Sequence, residues 1–134
     1  MKSVIAALLL VGLGLTVAPA QQTDGFLCTP YRNGNPAGAT IYCAYLDNAS
    51  LEWVIWGSVY CPQGQSRTFY DGTNNIVQPD LHIPYGKWYK FCAWNGAYRS
   101  EWTDPVYYTL SVYYPYELNM TIYCPMEPDP NEEE

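Results

Sequence analysis

Past residue 20 the chain never sustains the hydrophobic period of a helix; β-branched and aromatic residues come instead in short runs cut by Gly, Pro, Asn and Asp. Runs of this kind satisfy their backbone donors and acceptors only by pairing with one another. They fall at 25–29, 39–46, 51–61, 65–70, 76–83, 87–94 and 106–114, with a further one at 118–123. Seven to eight strands at nearly even spacing predict an all-β chain, folded as a single antiparallel β-sandwich. The breaks carry turn chemistry. Asn33-Gly34-Asn35-Pro36, Asp71-Gly72 and Asn95-Gly96 each set a residue tolerant of positive φ beside a glycine, and Asn95-Gly96, between two aromatic runs, is the strongest hairpin signal.

The ends of the chain bound where such a sandwich would work. Lys2, an apolar 4–17 segment and the small-x-small pattern Ala18-Pro19-Ala20 read as a cleavable secretory leader over 1–20, too short for the ~20 apolar residues of a membrane span. Residues 21–124 then form the β-sandwich domain, and the proline-broken 125–134 segment reads as an acidic disordered tail. The expected location is extracellular, with no membrane insertion. Asp and Glu number 13 against 6 Lys and Arg, a balance that disfavours nucleic acid and anionic membrane as partners.

Five cysteines follow the leader, Cys28, Cys43, Cys61, Cys92 and Cys124. In an oxidising compartment their arithmetic is two bridges and one thiol left over, which could link two copies as a disulfide dimer. No C-x-x-C occurs and His82 is the one histidine, so neither a metal site nor a cofactor is expected.

No catalytic constellation stands out. His82 has no nucleophile at a telling spacing, and the carboxylates of Glu52 and Glu101, beside Trp53 and Trp102, read as sheet-edge acids next to core tryptophans rather than as a glycosidase pair. The surplus of tyrosine, 14 residues, is the sharper clue. In 106–114 one alternate set is Val106, Tyr108, Leu110, Val112 and Tyr114, read as core. The other contains Tyr107 and Tyr113, read as a binding face of rigid rings with polar tips. Asn48-Ala49-Ser50 and Asn119-Met120-Thr121 are glycosylation sequons at Asn48 and Asn119. In the tail, Asp129 and Glu132 to Glu134 could collect calcium, but no loop arranges them for it.

The stretch Leu81-His-Ile-Pro-Tyr-Gly-Lys-Trp-Tyr-Lys-Phe-Cys-Ala-Trp-Asn95, continued to Val106, resembles the E–F corner and the F and G strands of fibronectin type III domains. The resemblance implies that Tyr89 is the corner tyrosine, its hydroxyl bonded to a backbone group a few residues upstream. Arg99 to Thr103 also resembles the Trp-Ser-x-Trp-Ser element of cytokine-receptor domains at Ser100 and Trp102. An immunoglobulin-like arrangement of the same strands implies a Cys43–Cys92 bridge between sheets, packed by Trp53 or Trp56.

These readings converge on a secreted, non-enzymatic module that binds an extracellular protein or glycan through an aromatic sheet face. The alternatives are a structural component of an extracellular or mineralised matrix, and, third, a secreted hydrolase.

Overall fold

The computed structural model describes residues 25–74, 78–109, 115–125 and 128–132. The leader, Tyr113 and parts of the 76–83 and 106–114 runs lie outside them. Among the described residues there are nine strands: β1 (Phe26–Arg32), β2 (Asn35–Pro36), β3 (Ala39–Asp47), β4 (Glu52–Cys61), β5 (Arg67–Tyr70), β6 (Leu81–His82), β7 (Lys87–Trp94), β8 (Val106–Tyr108) and β9 (Tyr116–Thr121). One 3-10 turn, Gly72–Asn74, is the only helical element among the described residues. The strands form two packed sheets, β2-β1-β5-β6 with β9 also on β1, and β4-β3-β7-β8. Most pairs are antiparallel, but β1–β9 and β5–β6 are parallel.

Alternation explains why the sheets meet. Phe26 and Cys28 of β1 and Ala39, Ile41 and Cys43 of β3 face inward, with partly exposed residues between them. Phe91 of β7 stands at the centre, its ring 4.8 Å from that of Phe26 and 5.0 Å from that of Phe69. Two tyrosines are buried beside it, and each spends its hydroxyl. Tyr89 donates to the carbonyl of Pro84 at 2.6 Å, and Tyr108 accepts the N–H of Asp71 at 2.9 Å. Burial holds the Tyr89 hydroxyl well above the usual phenol range, which keeps it a donor.

The turns set the register. Asn33 and Gly34, at φ 54° and 79°, form the two-residue loop between Arg32 and Asn35. Two successive positive φ values mark a type I′ turn, whose twist suits the strands it joins. Asn95-Gly96 instead opens a four-residue loop closed by the Trp94 and Arg99 bridge. Asn95 Oδ1 accepts the N–H groups of Ala97 and Tyr98 at 3.0 and 2.8 Å, which locks that loop.

The C-terminal segment clasps both sheets. After β9, Ile122 donates its N–H to the Tyr31 carbonyl at 2.8 Å, and Arg99 and Cys124 exchange backbone bonds of 2.7 and 2.9 Å. Residues 128–132, within the 125–134 segment expected to be a disordered tail, make contacts with the β4-β3-β7-β8 side. Trp102 Nε1 donates to the Asp129 carbonyl at 3.0 Å, and Glu132 pairs with Arg99 at 2.5 Å. Asn131 mimics a neighbouring strand, taking the Trp53 N–H on Oδ1 at 2.7 Å and giving Nδ2 to the Trp53 carbonyl at 2.9 Å. These bonds are to residues distant in sequence, which composition does not report.

Candidate binding face

The outer face of the β4-β3-β7-β8 sheet collects the aromatic residues that the core does not use. Its rows follow from register. Tyr60, Thr40 and Trp94 lie side by side across β4, β3 and β7; Ser58, Tyr42 and Cys92 form the next row, and Ile55, Ala44 and Lys90 the third. Trp88 and Tyr107 close the face on β7 and β8, their ring centroids 5.5 Å apart. Tyr60 is 61 % exposed, Tyr107 45 % and Trp88 42 %. Tyr108, one residue on from Tyr107, is fully buried. The pairing shifts between Cys43 and Ala44, and this irregularity takes Trp56 out of alternation. Its ring meets Tyr45 edge-on at 5.6 Å and its Nε1 donates to the His82 carbonyl at 2.9 Å, so Trp56 staples the two sheets rather than joining the face.

A cation ladder stiffens the middle of the face. Lys90 is 7 % exposed, with its Nζ 4.5 Å from the Trp53 ring centroid and 5.1 Å from that of Trp102. An ammonium between two indole faces exchanges water for ring quadrupoles, an interaction of about 0.5–2 kcal/mol per ring. Beside it, Arg99 is nearly buried; burial works against its charge, but Glu132 at 2.5 Å keeps the guanidinium above its usual range.

All five cysteines are free thiols. Cys28, Cys43 and Cys61 lie in the core between the sheets, whereas Cys92 belongs to the cluster of Ala44 and Trp102 on the outer side. The immunoglobulin resemblance implies a Cys43–Cys92 bridge, and the structure puts the two residues in different clusters. Cys43 sits opposite Phe91 and Cys92 opposite Tyr42 on adjacent strands of one sheet, so the two sulfurs leave opposite faces. Burial raises the pKa of Cys28, Cys43, Cys61 and Cys92, holding these thiols protonated and unreactive. Cys124 is partly exposed. Iodoacetamide applied to the folded, reduced protein at pH 8 is expected to label Cys124 and spare Cys28, Cys43 and Cys92, as read by peptide mass spectrometry; equal labelling of all five would refute this packing.

The remaining candidates are scattered. Asn48 is exposed in the β3–β4 turn, where Asp47 accepts the Ala49 N–H and the Ser50 hydroxyl, bonds that lower the Asp47 pKa. Asn119 is exposed on β9. His82 is exposed on β6, Glu52 is exposed at the start of β4, and Glu101 takes the Tyr123 hydroxyl. Among the described residues no three His, Cys, Asp or Glu side chains gather to hold a metal, and no helix is long and apolar enough to cross a membrane. Tyr107 thus joins Tyr60, Trp88 and Trp94 on one surface. The last three escaped sequence reasoning because strand alternation gives two faces without saying which one a second sheet covers.

No family model, curated protein or solved structure matches the chain. The two-sheet architecture therefore rests on its own strand pairing.

Proposed function

We propose that this protein is an extracellular, non-enzymatic binding module, exported on the 1–20 leader, that recognises a protein or glycan partner through its aromatic outer face. The observation that carries the reading is the exposure of Tyr60, Trp88 and Tyr107 on one sheet face, where folding alone gives no reason to leave large rings in water. Rigid rings with polar tips lose little entropy on docking and are enriched at interfaces. The fibronectin type III reading of the sandwich is supported by the Tyr89 bond to Pro84 and by a four-stranded sheet in which β7 pairs with β3 and β8. The parallel β9 is a departure from that pattern.

The test uses the labelled full chain on arrays of glycans and of extracellular proteins. Saturable binding is expected, and the Trp88→Ala/Tyr107→Ala double variant is expected to lose at least tenfold in affinity. Both rings are partly exposed, so the variant should keep its melting temperature. An absence of saturable binding, or binding that the folded variant retains in full, sinks the reading.

A further inference from the structure

We infer that the slot between Tyr60 and Trp94 is a subsite for one neutral pyranose ring. The inference rests on the aromatic-face reading and narrows it to a ligand class and a place. Tyr60, Thr40 and Trp94 occupy one register row, so two aromatic side chains stand two strand spacings apart, roughly 10 Å, with a short threonine between them. Carbon contact distances of about 4 Å on each side leave room for a single puckered ring. The resulting cleft of about 310 Å³ is lined further by Gly38, Ala39, Asn95 and Gly96. That is the size of a small-ligand site.

The lining is specific in its chemistry. It contains no charged residue, so an anionic or cationic ligand would be desolvated there without a partner. Four polar groups are unspent: among the described residues no hydrogen bond is made by the Tyr60 hydroxyl, Thr40 Oγ1, Trp94 Nε1 or Asn95 Nδ2. The orientation of the last is already fixed, because Asn95 Oδ1 is held by two backbone N–H groups at 3.0 and 2.8 Å. Trp94 is buttressed by Tyr42, with ring centroids 5.8 Å apart. A side chain at position 38 would crowd the Tyr60 hydroxyl, since a Cβ there would lie 3.0 Å from it. Glycine thus lets the phenol lie against the loop. Two aromatic side chains with neutral donors and acceptors around them match a sugar, whose C–H faces carry slight positive charge and whose rim carries hydroxyls.

The experiment is saturation-transfer NMR on the full chain with the methyl pyranosides of glucose, galactose, mannose and N-acetylglucosamine at millimolar concentration. At least one sugar is expected to show saturable transfer, strongest at its ring protons. Tyr60→Ala should reduce affinity at least tenfold, and Thr40→Phe, which fills the slot while keeping the residues on either side of it, should abolish transfer. Tyr60 is mostly exposed and Thr40 lies on the outer face, so near-UV circular dichroism can show that each variant is folded. If no sugar gives saturable transfer, or if transfer survives in both folded variants, the subsite is overturned. Array binding that still depends on Trp88 and Tyr107 would then leave the aromatic-face reading standing, whereas loss of both would remove it as well.

Discussion

Replacing Phe91 by alanine is expected to destabilise the folded protein by about 3–5 kcal/mol, the usual range for deleting a buried aromatic ring. Phe91 is fully buried and touches rings from the opposite sheet, Phe26 and Phe69, so its loss opens a void where the two sheets interlock. Those neighbours cannot collapse into it freely, because each is held by its own strand pairing: Phe26 sits opposite Phe69 in the β1–β5 ladder. A domain of ordinary stability holds only about 5–15 kcal/mol in total, so the variant should be close to unfolding. Urea titration followed by intrinsic fluorescence measures the effect. Phe91→Leu keeps most of the volume and should cost clearly less. A loss under 1 kcal/mol for the alanine variant would mean that the sheets do not pack through this ring.

Trp102→Ala should be comparably severe, at about 3–5 kcal/mol, and for a different reason. Trp102 is 6 % exposed and serves as both one face of the Lys90 ladder and the anchor of the C-terminal segment, through Nε1 to the Asp129 carbonyl. Its removal leaves a nearly buried ammonium facing the Trp53 ring without its second indole, and frees the backbone that carries Asn131 and Glu132. Hydrogen exchange should therefore quicken around Trp53, whose N–H is held by Asn131, together with the drop in stability. Trp102→Phe separates the contributions: it keeps a ring over Lys90 but deletes the donor, and should cost about 0.5–1.5 kcal/mol. Unchanged exchange at Trp53 in the alanine variant would show that the segment is held by other contacts.

How much of this was readable beforehand differs from element to element. The 87–94 run has the same bounds as β7, because aromatic and small apolar residues dominate it and Gly86 and Asn95 punctuate it sharply. β3 and β4 lie within one residue of their expected starts and ends, for the same reason. The hairpin signals were legible as turns but not as types, since the two-residue geometry belongs to Asn33-Gly34 while Asn95-Gly96 opens a longer loop. Sheet membership was not legible. A period of two says which residues share a side of a strand, not which strand lies next to it, and this is why Cys43 and Cys92 looked like cross-sheet partners when they occupy neighbouring strands. The site suffered from the same gap. Tyr107 was separable from Tyr108 by alternation alone, but the Tyr60–Thr40–Trp94 row exists only once three strands far apart in the chain have found their register.

The parallel pairing of β1 with β9 has a consequence for biosynthesis. Phe26 meets Tyr116, and Tyr31 meets Thr121, across about ninety residues of intervening chain, the kind of distant closure that slows folding. A ribosome releases the N-terminal strand long before β9 emerges, leaving β1 with an unmet ladder on that flank until residues 116–121 have been made. A nascent chain stalled before residue 116 should therefore be a client for chaperones.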